Sequence, residues 1–149
     1  MRHRAETMLV NGTSDWQGPF RTGTGTLSTE SDTLTNVPYS FASRFERAPG
    51  ACPEELLATA HAACYNHALA NISGLAGLPI EAIHTRATVA MGRDERGPAV
   101  LGIHLDVTAH THTLDEDRFK EMAEAARVGC ALSKALAATE ITMDARLIR

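Results

Sequence analysis

The sequence predicts an α+β fold built on antiparallel sheet, and three observations lead to it. The first third is rich in Thr, Ser and Gly; a long Ala/Leu-rich stretch follows Pro53; and two later segments alternate apolar and polar residues with period two. No regular strand–helix–strand alternation is present, and no internal repeat or low-complexity linker interrupts the chain. A length of 149 residues with 44% apolar content suits one domain, 1-149, with a sizeable core.

Each element has its own signal. Between Met8 and Phe45, short extended candidates near Arg21 to Ser28 and Tyr39 to Phe45 are separated by turn formers, which reads as a β-meander. At Cys52-Pro53-Glu54-Glu55 the character changes. Proline suits the first helical position and two carboxylates favour the positive end of the dipole, so a helix should run to about Gly74. Leu56, Leu57, Ala60, Ala62, Ala63, Ala68, Leu69 and Ile72 put small or apolar residues on nearly all sides of it. That pattern predicts a central helix buried on more than one face, with a partner chain available to cover one of them.

Ile83 to Met91 and Leu101 to Ala109 alternate, and Gly92, Gly97 and Pro98 supply a connection, which predicts an antiparallel hairpin. Thr113-Leu114-Asp115-Glu116 has capping-box spacing, and Phe119, Met122, Ala123 and Ala126 keep one apolar stripe. This second helix should end or kink at Gly129. A short helix beginning near Cys130 and a last strand near Ile141 to Ile148 complete the chain.

Charge and composition narrow the function. With 14 Lys and Arg against 18 Asp and Glu, the net charge of -4 gives no electrostatic reason to bind phosphate backbones or anionic membranes, so neither nucleic acid nor membrane is an expected partner. Met1-Arg2-His3-Arg4-Ala5-Glu6 lacks the apolar core of a signal peptide, and no later stretch approaches the roughly 20 apolar residues of a membrane span. A cytoplasmic location is the expectation. Three widely spaced cysteines do not make the even framework of a small secreted fold, so any disulfide should be transient and chemical. Gly23-Thr24-Gly25 lacks the third glycine and the strand-to-helix setting of a dinucleotide loop, and no phosphate loop occurs, so no cofactor is expected.

The chemistry-bearing residues are few. Cys64 sits mid-helix in His61-Ala62-Ala63-Cys64-Tyr65-Asn66-His67, where packing alone would account for a small apolar thiol. Cys130 follows Gly129 and opens a new helical segment, at the unpaired N–H groups of a helix start. His61, Cys64 and His67 could partly share a helical face as zinc ligands, but the span drifts round the helix and a fourth ligand is not evident. His104, Asp106, His110 and His112 share the even positions of one strand opposite the apolar odd positions, which favours a solvated face over a metal site.

Read with their neighbours, the cysteine segments point further. Pro53-Glu54-Glu55-Leu56-Leu57, Ala60-His61-Ala62-Ala63-Cys64 and Gly129-Cys130-Ala131-Leu132-Ser133-Lys134-Ala135-Leu136 closely resemble the motifs of the OsmC/Ohr family, the osmotically inducible and organic-hydroperoxide-resistance proteins. The resemblance extends to Gly25-Thr26-Leu27-Ser28-Thr29-Glu30-Ser31 and to Tyr39-Ser40-Phe41-Ala42-Ser43-Arg44-Phe45-Glu46, the latter similar to the OsmC branch. It departs at Cys52, where the family usually has Asn or another small polar residue, and at Ala131, which replaces a common proline.

The resemblance implies an OsmC-like, intertwined homodimer with antiparallel sheets and long central helices. It implies Cys64 as peroxidatic thiol, Cys130 as resolving thiol, Arg44 as the partner of thiolate and peroxide, and Glu54 as the carboxylate that orients the arginine. The implied activity is peroxidase action on organic hydroperoxides, through a Cys64 sulfenic acid and a transient Cys64–Cys130 disulfide that an external dithiol, such as a lipoylated protein, reduces. Glu54 and Cys64 are ten residues apart on one predicted helix, roughly 15 Å along its axis. If Glu54 holds an arginine beside a Cys64, that thiol therefore belongs to a second chain. The competing expectations are a non-catalytic dimeric binding protein of the same fold and a structural zinc protein.

Overall fold

The computed structural model describes residues 7–149; the reading of Met1 to Glu6 lies outside the described residues. Two compact units divide between Pro53 and Glu54.

The first unit is the expected meander. Strands β1 (Gly12–Gln17), β2 (Thr24–Thr29) and β3 (Val37–Tyr39) pair antiparallel in that order. Gly25 lies opposite Tyr39, and a Cβ there would run into the tyrosine ring. Close packing, not phosphate binding, explains the Gly-Thr-Gly sequence.

Tyr39 to Phe45 departs from the extended expectation: after Tyr39 the chain forms a short helix, α1 (Phe41–Phe45). A reciprocal cap makes it. Ser43 N–H donates to Ser40 Oγ at 3.1 Å, while Ser40 N–H donates to Ser43 Oγ at 2.9 Å, and this satisfies two donors that a helix start otherwise leaves unpaired. Ser43 Oγ also donates to Ala51 O at 2.8 Å, tying the loop after α1 back to the helix.

The second unit holds the core. Helix α2 (Pro53–Leu75) begins as predicted, with Glu54 and Glu55 in its first turn. Its buried residues are His61, Tyr65, Leu69 and Ser73, a single stripe at four-residue spacing. The expectation of burial on several faces is corrected for the single chain. The alanines and leucines round the rest of the helix are half-buried or exposed, and Leu75 is 82% exposed.

Strands β4 (Ala82–Asp94) and β5 (Gly97–His110) form the predicted hairpin, longer than expected, with its turn at Glu95 and Arg96. Gly97 takes a φ of 126°, which favours glycine there. Ile103, Leu105, Val107 and Ala109 of β5 are buried and meet Tyr65 and Leu69 in the core, together with Phe119, Met122, Ala123 and Ala126 of helix α3 (Glu116–Gly129).

The cap of α3 is Asp115, whose carboxylate accepts from Arg118 N–H at 2.8 Å, and not Thr113. The Thr113 hydroxyl is engaged elsewhere, with Thr111 at 3.0 Å and with Pro79 O at 3.3 Å. After Gly129 comes helix α4 (Ala131–Ala135), and then strand β6 (Ile141–Ile148).

The α+β fold rests on antiparallel hairpins as expected, and β6 adds to β5 in parallel, so this sheet is mixed. The reason is the connection. Residues 111–140 carry α3 and α4 between the two strands, enough chain to return the strand in the same direction. Among the described residues, no helix is long and apolar enough to cross a membrane.

Candidate active site

Cys130 occupies the junction of α3 and α4. Its backbone N–H donates to Ala126 O and closes the last turn of α3. Its φ of −66° and ψ of 146° make it the N-cap of α4, and its sulfur accepts from Ser133 N–H at 3.3 Å. Cys130 takes this extended conformation with Ala131, not a proline, after it. The side chain is only 2% exposed.

From Cys130 a buried polar chain runs to α2. The thiol donates to Ser133 Oγ at 3.1 Å, and Ser133 Oγ stands 2.8 Å from His61 Nε2. His61 is fully buried, and burial lowers its pKa from the ordinary 6.5, which keeps the ring neutral. One turn further on, the Tyr65 hydroxyl donates to Ala123 O at 3.2 Å, fastening α2 to α3. Burial, then the charges of Glu124 and Cys130, push the Tyr65 phenol well above its ordinary pKa.

Cys64 lies on α2 between His61 and Tyr65 and is half-buried. The structure therefore links Cys130, through Ser133, to His61, one turn before Cys64 on α2. Sequence reasoning found both thiols but missed Ser133, which stands at the three-residue spacing of a capping pair, and took His61 as a possible metal ligand.

His61 faces the interior while His67 is exposed, so among the described residues these two and Cys64 do not gather as a metal cluster. His104 and His110 of β5 do lie on the solvated face, and His112 is exposed just beyond the strand's end. His110 Nδ1 is 3.0 Å from Glu81 Oε2, His112 is further from the same carboxylate, and His104 lies between Asp106 and Asp144, all as partly exposed contacts.

Arg44 and Glu54 belong to different units. Glu54 is half-buried in the first turn of α2. Arg44 lies on α1, its guanidinium 5.0 Å from the centre of the Phe45 ring. It lines an apolar cavity of about 270 Å³ with Trp16, Phe20, Tyr39, Phe41 and Phe45. The rings pack on one another: Phe20 is 5.2 Å from Phe41 edge-on, and Phe41 is 5.0 Å from Phe45. Sequence reasoning did not single out this aromatic set, whose members are scattered over thirty positions.

The class that the cysteine segments and this α+β fold point to is the OsmC-like proteins, and known relatives bear it out. The sequence matches the family described as OsmC-like protein over residues 46–145. It is 38% identical to the peroxiredoxin OsmC of Escherichia coli over 141 residues, covering 95% of this chain and 98% of that one. The chain belongs to the OsmC family, in its OsmC branch.

Solved structures share the fold. The organic hydroperoxide resistance protein OhrB of Bacillus subtilis superposes with a TM-score of 0.68 at 21% identity, covering 91% of this chain and 98% of that one. An OsmC-like protein from Mycoplasma pneumoniae gives 0.73 at 16% identity, covering 97% and 100%.

Proposed function

We propose that this protein is a thiol-dependent peroxidase that reduces organic hydroperoxides, with Cys64 as peroxidatic and Cys130 as resolving thiol. The observation that carries the reading is the pair of environments: Cys64 half-buried, Cys130 closed off and hydrogen-bonded to a residue that meets α2 one turn before Cys64. A thiol that meets substrate needs access, whereas a thiol that meets only another sulfur does not.

The Cys64 thiolate attacks the terminal peroxide oxygen, releases the alcohol and becomes a sulfenic acid. Cys130 condenses with it, expelling water and forming the disulfide. An external dithiol, for which a lipoylated protein is suited, restores both thiols by exchange. Arg44, always charged, stabilises the attacking thiolate and polarises the peroxide, and Glu54 orients the arginine.

The ten-residue separation of Glu54 and Cys64 on α2 supports a homodimer in which these groups act with a second chain, as does the apolar surface that α2 leaves uncovered. The sequence as a whole, 1–149, then serves as one functional domain, in the cytoplasm. The aromatic cavity beside Arg44 suits the organic group of the substrate.

The test is intact mass after one equivalent of cumene hydroperoxide. Wild type should lose a pair of hydrogens, and Cys130→Ser should instead gain one oxygen at Cys64. Unchanged peroxide consumption by Cys64→Ser would rule the reading out in favour of a non-catalytic binding protein.

A further inference from the structure

We propose that Ser133 and His61 form a proton relay that takes the thiol proton of Cys130 as its sulfur attacks the Cys64 sulfenic acid. The inference rests on the peroxidase reading above and concerns its second step.

A resolving thiol must lose its proton to become a nucleophile. At 2% exposure, Cys130 has no direct route for that proton to solvent. Among the described residues, the side chain that its sulfur is seen to hydrogen-bond is Ser133, at 3.1 Å, and the serine oxygen in turn lies 2.8 Å from His61 Nε2. The three groups are ordered as a relay requires: S–H donates to the hydroxyl, and the hydroxyl lies where it can donate to a ring nitrogen.

The other ring nitrogen gives the second observation. His61 Nδ1 is buried and, among the described residues, has no hydrogen-bond partner. A histidine is normally fixed in one tautomer by the bond its second nitrogen makes. Among the described residues no bond at Nδ1 fixes this one, so Nε2 can alternate between accepting from Ser133 and donating to it. A buried polar atom without a partner costs stability, roughly 1–3 kcal/mol, and such a cost at a nitrogen joined to a reactive thiol calls for a role.

Titratable groups on the elements that meet at the contact include Cys64 and Tyr65 on α2, Glu124 with its Arg127 partner on α3, and Cys130 and Lys134 at α4. None of their charges shifts His61; burial alone keeps the ring neutral and able to receive a proton.

The step balances without an added reactant. The Cys130 proton passes to Ser133 Oγ as the serine proton passes to His61 Nε2; the sulfur attacks the Cys64 sulfur and the S–O bond breaks. The departing hydroxide takes the proton back and leaves as water. Cys64 is reduced from sulfenic acid to disulfide and Cys130 is oxidised from thiol to disulfide.

The test follows the lifetime of the Cys64 sulfenic acid by rapid mixing with cumene hydroperoxide and quenching with a sulfenic-acid trap, from pH 5 to pH 9. In wild type the decay should be fast and level through neutral pH, slowing only in acid as His61 takes up a proton. In Ser133→Ala and in His61→Gln the sulfenic acid should persist at least about tenfold longer near neutrality, and its decay should quicken steadily with pH as solvent base substitutes for the relay. Ser133→Thr, which keeps the hydroxyl, should restore the wild-type profile.

Decay at the wild-type rate in both variants would overturn the relay, as would slowing by one constant factor with the pH profile unmoved, which is the mark of packing. Should Ser133→Ala not fold, His61→Gln reads the same quantity. Failure of the peroxidase reading shows separately: Cys130→Ser would then form no sulfenic acid at all, and the relay would fall with it.

Discussion

His61 and Ser133 are 72 positions apart in sequence and meet at 2.8 Å in the interior, so the residue one turn before the first thiol touches the residue one turn after the second. This contact, with the Tyr65–Ala123 bond, holds α2 against α3 and α4. It carries the first expectation.

Because burial lowers the His61 pKa, the folded protein resists the proton that the unfolded chain accepts readily at 6.5. The unfolded state then binds more protons, so stability is full above that value and falls as pH drops below it. Urea midpoints should decline between about pH 7 and pH 5. His61→Gln should flatten this decline, and an unaltered slope would show that other groups set the acid limit.

Tyr65→Phe removes one buried hydroxyl and keeps the ring. The Ala123 carbonyl retains its place in the α3 ladder, so the loss should be near 1 kcal/mol in urea unfolding, as for a single internal hydrogen bond. Tyr65→Ala should cost about 3–5 kcal/mol, because the ring fills the core.

The aromatic cavity predicts substrate discrimination. Phe41→Ala removes a ring packed on both Phe20 and Phe45. Steady-state kcat/KM for cumene hydroperoxide should fall roughly tenfold, about 1.4 kcal/mol of lost binding, with a much smaller change for hydrogen peroxide. Equal losses for the two substrates would place the organic group elsewhere.

The helix start at Asp115 is testable by the pair Asp115→Ala and Asp115→Asn. Alanine should cost about 1 kcal/mol in denaturant unfolding, and asparagine much less, since it caps equally well. A loss as large in Asp115→Asn would point to charge rather than capping.

Much of this protein was legible from its sequence, because the signals were local or periodic. Period-two alternation located β4 and β5, the run after Pro53 located α2, and the stripe from Phe119 to Ala126 identified the buried face of α3. The segments around Cys64 and Cys130 named the family, and with it the expected thiol roles, since a motif is written in consecutive residues.

The tertiary structure decided what depends on residues far apart. The turn of Tyr39 to Phe45 into α1 starts from a local cap, Ser40 with Ser43, but the bond of Ser43 to Ala51 that ties it down exists only in the fold. The direction of β6 depended on where α3 and α4 left the chain, which no pattern within β6 encodes. The contact of Ser133 with His61, and the gathering of Phe20, Phe41 and Phe45 beside Arg44, exist only once the chain is folded. Each group draws members from different elements, so the sequence located the two thiols, and only folding brought Ser133 to His61 and Phe20 to Phe41 and Phe45.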